Sequence, residues 1–136
     1  DGLHQMAGSK NVLELHGSVK RNYCQSCQAF YDDGFILQST GVPTCKCGGV
    51  IKPDVVLYEE GLSQDTMQRS MEFIAKADVL IVGGTSLVVY PAAGMIDYYR
   101  GRQLVLINRG ATHSDKKAKL LIQESIGVVL GQISLS

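Results

Sequence analysis

The sequence has no excess of charge of either sign. Its 136 residues include 13 Lys and Arg and 13 Asp and Glu, which gives a formal net charge of zero. Proteins that bind nucleic acid usually carry a strong positive excess, because contacts to the backbone phosphates supply much of the affinity. The balance therefore argues against direct binding of nucleic acid, and a zinc finger that reads DNA is not expected.

Long apolar runs are also lacking. The longest, around Val79 to Val82, is far shorter than the roughly 20 residues that span a membrane. The first residues, Asp1-Gly2-Leu3-His4, show no basic segment followed by an apolar one, as a secretion signal would. We therefore expect a cytoplasmic protein that makes no membrane contact. Because the chain starts without methionine, we expect it to be part of something longer.

Cysteine is scarce, and all four cysteines fall in one window, as Cys24-x2-Cys27 and Cys45-x-Cys47. Such closely spaced pairs can bring four thiolates around one Zn²⁺ ion, which favours tetrahedral sulfur coordination in structural sites. Gly48-Gly49 follows the second pair and allows a sharp turn with its amides facing the sulfurs. Two disulfides are the alternative, and they would imply an oxidising compartment. Zinc is favoured because the chain shows no secretory segment.

The rest of the sequence alternates between patterns typical of strands and of helices. A short apolar strand, Val12–Leu15, is predicted to lead directly to His16. After Pro53, strands and helices are predicted to alternate along the chain. They are a strand at 54–58, a helix after Ser63, a strand at 79–82, a helix from Pro91 to about Arg100, a strand at 104–107, a helix over 114–123 and a strand near 128–130.

This alternation predicts an α/β fold with a parallel sheet and helical crossovers, part of a doubly wound, Rossmann-like nucleotide-binding domain. Ligands of such sheets bind beyond the carboxyl ends of the strands. Gly84-Thr85-Ser86 and Asn108 follow two of the predicted strands. Small residues there would let a nucleotide approach the backbone, and the hydroxyl and amide groups could hydrogen-bond to ribose. On its own this glycine-containing segment is a weak signal, since a simple turn also requires glycine.

Five segments occur in the order found in the sirtuins, the Sir2-type NAD-dependent protein deacylases. They are His16-Gly17, the four cysteines, Lys52–Val56, Gly84–Leu87 and Leu106–Asn108. The chain resembles the C-terminal portion of a sirtuin, without that family's N-terminal glycine-rich NAD-binding segment. The resemblance implies an active-site segment at 1–17, a zinc-binding module at 18–53 and the C-terminal half of the Rossmann-like domain at 54–136.

The resemblance also implies residue roles for lysine deacylation with NAD as co-substrate. His16 matches the catalytic histidine, a general base for a ribose hydroxyl of NAD. The positions that match cofactor contacts are Asp1, Gly84, Thr85, Ser86, Asn108 and Val128. Those that match the loops holding an extended acyl-lysine peptide of a substrate protein are Val56, Leu57, Tyr58, Glu60 and Val89. The expected products are free lysine, nicotinamide and O-acyl-ADP-ribose, and the zinc ion is expected to be structural.

The sequence departs from the family pattern at three places. Tyr58-Glu59-Glu60 stands where sirtuins commonly have Phe-Gly-Glu, so a glycine is replaced. The second cysteine pair is one residue tighter than the common C-x2-C spacing. Arg109 stands where an acidic or apolar residue is frequent near the adenosine.

No glycine-rich turn that could cradle the NAD pyrophosphate occurs in these residues, so we expect the isolated chain to be inactive. An uncovered sheet edge would favour pairing with the absent N-terminal segment or self-association. Two other interpretations were weighed. A non-catalytic zinc-ribbon module that binds a partner protein explains the cysteines but not His16 or Asn108. Half of an NAD-dependent dehydrogenase is disfavoured because a dinucleotide fingerprint is missing.

Overall fold

A computed structural model describes residues 2–134. The candidate cofactor residue Asp1 therefore lies outside the described residues, as do the last two positions. The chain forms two compact units, Asp1–Thr66 and Met67–Ser136. Each unit has its own sheet and its own buried core.

The first unit is built on an antiparallel sheet with strand order β2-β1-β3. The strands are β1 (Gly17–Cys24), β2 (Phe30–Asp32) and β3 (Ile51–Val55). Two short helices accompany them, α1 (Leu3–Met6) and α2 (Asp33–Gln38). The carboxylate of Asp32 caps α2 by accepting a hydrogen bond from Phe35 N at 2.8 Å. The buried core consists of Cys24, Cys45 and Ile51, which places cysteines at the centre of this unit.

The pairing of β1 with β3 depends on a glycine at its start. The ladder starts with Gly17 opposite Val55 and ends with Cys24 opposite Ile51, with a bulge in β1 between Ser18 and Asn22. Gly17 has a φ of +76°, and a Cβ atom there would lie 1.8 Å from the carbonyl oxygen of Asp54. No side chain fits at that distance, so the close approach of the two backbones requires glycine.

Two strands predicted for this unit are wrong in position. Val12–Leu15 forms no strand, because Gly17 N donates to Glu14 O at 3.0 Å and closes a turn there. The strand predicted at 54–58 lies earlier, at Ile51–Val55. In both places a local hydrogen-bonded turn uses backbone groups that a longer strand would have paired.

The second unit is built on a parallel sheet with strand order β4-β5-β6. The strands are β4 (Val79–Gly83), β5 (Gln103–Ile107) and β6 (Leu120–Ile122). The α-helices are α3 (Gln64–Lys76) and α4 (Ile126–Leu130), and two 3₁₀ helices lie between them, at Ala92–Tyr98 and Asp115–Lys117. Helix α3 begins just before the division between the units. The core of this unit contains Leu87, Ala93, Ile96, Leu104 and Leu106. The predicted α/β class with a parallel sheet is confirmed.

The early elements of this series are confirmed. The helix predicted after Ser63 is α3, and Thr66 N donates to Ser63 Oγ at 3.3 Å, as expected of an N-cap. The helix predicted from Pro91 is present as the 3₁₀ helix that begins at Ala92. The apolar strands predicted at 79–82 and 104–107 correspond to β4 and β5, which pair in register.

The last two predicted elements are wrong. The helix predicted over 114–123 contains only one 3₁₀ turn, and its C-terminal part is β6, which pairs with Val105–Ile107. The strand predicted near 128–130 is instead part of the helix α4. An apolar Leu-Leu-Ile segment suits either structure, and in this chain the pairing with β5, distant in sequence, decides for a strand.

One face of β4 is exposed within the described residues. The side chains of Val79 and Ile81 are 52% and 54% exposed, although both are apolar. Covering such a face would remove apolar surface from water and would be favourable. In residues 2–134 no helix has both the length and the apolar character needed to cross a membrane.

Replacing Gly17 by alanine is expected to lower the free energy of unfolding of the first unit by roughly 3 kcal/mol, because a positive φ and a backbone clash both oppose the new side chain. Urea denaturation followed by circular dichroism measures the loss. Gly41→Ala is the matched control for the backbone angle alone, since Gly41 has a φ of +73° and open space around it. Equal losses in the two variants would contradict the role given to the contact with Asp54.

Candidate functional site

The four cysteines converge to a single point of the first unit. All four sulfur atoms lie within 4.8 Å of one another. The Sγ atoms of Cys24 and Cys47, of Cys27 and Cys45, and of Cys27 and Cys47 are each 3.5 Å apart. A disulfide requires about 2.05 Å, whereas a tetrahedral zinc site with Zn–S bonds of about 2.3 Å has sulfur–sulfur edges of about 3.8 Å. The cluster is therefore compatible with structural zinc, and the four thiols are free rather than disulfide-bonded.

Tight backbone turns bring the two pairs together. Cys24 ends β1, and Gln28 N donates to Cys24 O at 3.0 Å to close the first turn. In the second turn, Gly48 has a φ of +84° and its N–H donates to Cys45 O at 2.8 Å. A Cβ atom on Gly49 would lie 2.7 Å from the Sγ of Cys24, so this position has to be glycine for the sulfurs to converge. The expected Gly48-Gly49 turn is confirmed.

Hydrogen-bond donors favour the thiolate form of two of the cysteines. The backbone N–H of Cys47 and then the Tyr31 hydroxyl, 3.1 Å from the sulfur, lower the pKa of Cys45 to about 6. The backbone N–H of Cys27, 3.5 Å away, is the main cause of a lowered pKa at Cys24. Both sulfurs are thus prepared to act as metal ligands, which must be deprotonated.

Cys47 differs from them, because its pKa is raised to about 12. The backbone N–H of Gly49 has the largest single effect on this thiol and lowers its pKa, but contacts with the sulfurs of Cys27, Cys45 and Cys24 together outweigh it. As a thiol, Cys47 can donate its proton to the sulfur of Cys27, 3.5 Å away. A dication at the centre of the cluster would take the place of that proton, so the donor set suits Zn²⁺.

Cys24→Ala is expected to abolish zinc binding and to unfold the first unit, because structural zinc contributes on the order of 10 kcal/mol to small sites. The purified chain should contain one zinc ion per molecule by elemental analysis, and the variant none. Ser26→Ala is the control, because it changes a side chain in the same turn and removes no sulfur ligand, and this variant should keep its metal. A Cys24→Ala protein that is folded and metal-free would contradict the structural role of zinc.

The candidate catalytic residue His16 is exposed and lies in the turn directly before β1. Its carbonyl oxygen accepts a hydrogen bond from Val56 N at 3.0 Å. This bond follows the Gly17–Val55 pair and fixes the two chain segments side by side. The structure therefore brings His16 together with Val56, the first residue of the candidate peptide-binding loop.

An ion-pair network that sequence reasoning missed holds the same two segments. Arg21 donates to Glu14 Oε2 at 2.6 Å and to Asp54 Oδ2 at 2.9 Å. Glu14 precedes His16 by two residues, and Asp54 precedes Val56 by two. The hydrogen bond from Arg21 is the main cause of a lowered pKa at Glu14, and the bond to Glu14 is the main cause of a raised pKa at Arg21. The partners lie up to 33 residues apart, so no spacing in the sequence indicates the pairing.

Glu14→Gln is expected to destabilise the first unit at pH 7 by at most about 1 kcal/mol, with the deficit vanishing in acid. The pKa of Glu14 is lowered in the folded chain, so its contribution is complete above the ordinary value of 4.5 and is lost as the pH falls through the folded value. Thermal melting of both proteins at several pH values between 7 and 3 tests this. Glu72→Gln, on α3, controls for the change of charge; a deficit for Glu14→Gln that is constant with pH would contradict the assignment.

The candidate peptide-binding loop, 56–60, is largely exposed, and hydrogen bonds to Glu60 and Lys52 fix its backbone. Glu60 Oε2 accepts from Leu57 N at 2.9 Å and from Lys52 Nζ at 3.0 Å. Lys52 Nζ also donates to Val55 O at 3.1 Å. These bonds lower the pKa of Glu60, chiefly through the Leu57 N–H. Tyr58 is fully exposed, so the loop presents side chains to solvent while its base is held in place.

In the second unit, the carboxyl ends of β4 and β5 border a cavity of about 250 Å³. Two predicted cofactor residues, Gly84 and Asn108, line it. Gly84 has a φ of +66°, and its N–H donates to Ile107 O at 3.0 Å, which ties the two strand ends together. The side chain of Asn108 donates to Gly110 O at 2.9 Å. The structure thus places both residues at the sheet edge where a parallel α/β sheet binds its ligands.

The other cofactor and peptide positions of this unit do not line that cavity. Thr85 Oγ1 accepts from Leu87 N at 3.1 Å and shapes the turn after β4. Ser86 is exposed in the same turn. Val128 is 52% exposed on α4, and Val89 is 59% exposed in the segment before the 3₁₀ helix.

Arg109, which the resemblance placed near the adenosine, also lines the cavity. Sequence reasoning missed three further lining residues, Glu124, Ser125 and Ile126. All three follow β6, whose segment had been predicted as helix, so their place at a strand end was not foreseen. Recognising Leu120–Ile122 as a strand would have found them. Ile126 is also the reason for a glycine in β4, because a Cβ atom on Gly83 would lie 2.2 Å from the Ile126 Cδ1 atom.

A family model described as the Sir2 family matches residues 1–91, which is more than half of the sequence, and the chain therefore belongs to the Sir2 family. A relative from Clostridium perfringens, an NAD-dependent protein deacetylase, is 65% identical over 135 residues, covering 98% of this chain and 55% of the relative. A deacetylase of the same name from Clostridium tetani is 58% identical over 98% of this chain and 55% of its own length.

Solved structures of sirtuins share the fold. A structure of Sir2 with a p53 peptide and NAD⁺ matches with a TM-score of 0.84 and 38% identity, over 98% of this chain and 60% of that one. A structure of Sir2Tm bound to a propionylated peptide matches with a TM-score of 0.84 and 38% identity, over 98% of this chain and 61% of that one. The chain spans about half the length of the relatives it matches.

Proposed function

We propose that this chain supplies the catalytic histidine, a peptide-binding loop and part of the NAD site of an NAD-dependent protein lysine deacylase. One observation carries the proposal. The backbone of His16 is hydrogen-bonded to that of Val56, so a candidate general base stands beside the start of the candidate peptide-binding loop. This arrangement occurs in a chain of the Sir2 family whose relatives are NAD-dependent protein deacetylases.

The proposed peptide site uses the backbone of the loop. An extended acyl-lysine peptide would lie along the loop that contains Val56 and Leu57, where main-chain hydrogen bonds would give affinity with little demand on sequence. Tyr58 and Glu60 would flank this strand, the latter by keeping the Leu57 N–H in place. Val89, in the second unit, is proposed as a further substrate contact.

The proposed cofactor site involves the turn after β4 and the end of β5. The cavity at Gly84 and Asn108 is lined by small, polar and apolar groups, a mixture that suits part of a dinucleotide. Bound NAD would supply an electrophilic ribose carbon and nicotinamide as the leaving group. His16 would remove a proton from a ribose hydroxyl, a task for which its exposed imidazole is free. The remaining proposed cofactor contacts are Asp1, Thr85, Ser86 and Val128.

Zinc has a purely structural part in this proposal. Four cysteine sulfurs complete a tetrahedral shell and leave no position for a reacting water. We propose the three-part division inferred from the sequence, with residues 1–17 at the active site, 18–53 around the zinc and 54–136 in the Rossmann-like domain. Four free thiols so close together also support a reducing, cytoplasmic location, because an oxidising compartment would drive them to disulfides.

The test joins this chain to the N-terminal part of the Clostridium perfringens relative and measures NAD-dependent release of nicotinamide from an acetyl-lysine peptide. The joined protein should be active and the 136-residue chain alone inactive. His16→Tyr is expected to reduce the rate at least about 100-fold, as loss of a general base does. His113→Tyr makes the same change at an exposed histidine of the second unit and should have no such effect.

Two results would contradict the proposal. The first is full activity of the His16→Tyr protein. The second is peptide binding that depends neither on NAD nor on His16, with no turnover in a folded, zinc-containing joined protein. That second result would favour a zinc-ribbon module that binds proteins without catalysis.

A further inference from the structure

The acidic residues around the candidate peptide loop are neutralised, with one exception. Arg21 pairs with Glu14 and Asp54, as described above. Lys52 pairs with Glu60 at 3.0 Å. Within residues 2–134 the carboxylate of Glu59 makes neither an ion pair nor a hydrogen bond. The loop therefore carries one uncompensated negative charge, at its most exposed point.

Glu59 also has a backbone conformation that is unfavourable for residues with a Cβ atom. Its φ is +71°, in the left-handed region that favours glycine. Sirtuins commonly have glycine at this place in the Phe-Gly-Glu pattern. An outlier of this kind in a candidate binding loop is a reason to look for a function of the side chain.

The neighbouring residue adds a second recognition element. Tyr58 is fully exposed, at 101% relative exposure, and its ring contacts no other aromatic ring within the described residues. The face of a tyrosine ring attracts a guanidinium or ammonium group through its quadrupole. A free aromatic face next to a free carboxylate is chemically complementary to arginine or lysine.

We infer that Tyr58 and Glu59 make this chain select acyl-lysine peptides that carry a basic side chain close to the acyl-lysine. The inference rests on the proposed function, since it takes 56–60 as the peptide-binding loop. A peptide bound along this loop runs past the turn formed by Tyr58 and Glu59. A cationic side chain on that peptide would meet the one negative charge that Lys52 and Arg21 leave uncompensated.

The experiment measures dissociation constants by fluorescence anisotropy with the joined protein of the preceding section. The probes are acetyl-lysine peptides with otherwise uncharged flanks and a single Arg or a single Glu, moved through the three positions on each side. At one position at least, the Arg peptide should bind about tenfold more tightly than the Glu peptide, since attraction, repulsion and a cation–π contact each contribute a few-fold. The ratio should fall as sodium chloride is raised.

Glu59→Gln keeps the size of the side chain and removes its charge, so it should reduce the ratio to about threefold or less. Glu59→Gly removes the charge and relieves the backbone, so it should give the same reduced ratio even if the glutamine variant folds poorly. Asp33→Asn makes the same charge change on α2 and should keep the tenfold ratio. Tyr58→Leu should lower the ratio of the two dissociation constants only by the few-fold that the cation–π contact contributes.

Ratios within twofold at every position, or a ratio that survives both Glu59 variants, would overturn the inference while leaving the proposed function intact. Failure of the joined protein to bind the wholly uncharged acetyl-lysine peptide would overturn the proposed function, and the inference with it. The uncharged peptide thus separates the two failures.

Discussion

The first unit depends on the close approach of two backbones, at Gly17 and Asp54. Because the glycine has no Cβ atom, β1 and β3 can approach each other at this end of the ladder, and the bond between His16 and Val56 extends the pairing by one step. The same strand ends at Cys24 in the sulfur cluster, about 13 Å away along the sheet, because the five residues of β3 span the same interval. One strand therefore connects the candidate metal centre to the candidate catalytic residue, and Arg21 adds charge pairing at the histidine end.

Much of the fold could be predicted, because it is recorded in local patterns. The four cysteines were found from spacing alone, and β4 and β5 from continuous apolar runs. The elements after Asn108 were predicted wrongly. The Leu120–Ile122 segment is apolar enough for a helix or a strand, and its pairing with β5 is a contact between distant residues. The ion pair between Arg21 and Asp54 joins residues 33 positions apart, so no short segment of the sequence indicates it.

The candidate site was predicted unevenly for the same reason. Gly84 and Asn108 follow strands, and a position at a strand end can be inferred from the pattern. His16 was identified through the family resemblance, since the strand predicted before it does not form. The residues after β6 that line the cavity were missed because β6 itself was missed. The ion pair between Lys52 and Glu60 could not be predicted from the sequence, because it forms only when the loop after β3 turns back toward that strand. Errors in the site thus follow directly from errors in elements defined by contacts between distant residues.

The spacing between the second cysteine pair and β3 has a consequence for how the chain folds. Only three residues separate Cys47 from Ile51, which pairs with Cys24. A metal ion that holds both cysteine pairs closes a loop of about twenty residues and, in the same step, delivers β3 to β1 at the correct register. The remaining pairs of β1 with β3 then form. Metal binding would thus start the pairing of the two strands, and the hydrogen bond between Val56 N and His16 O would complete it.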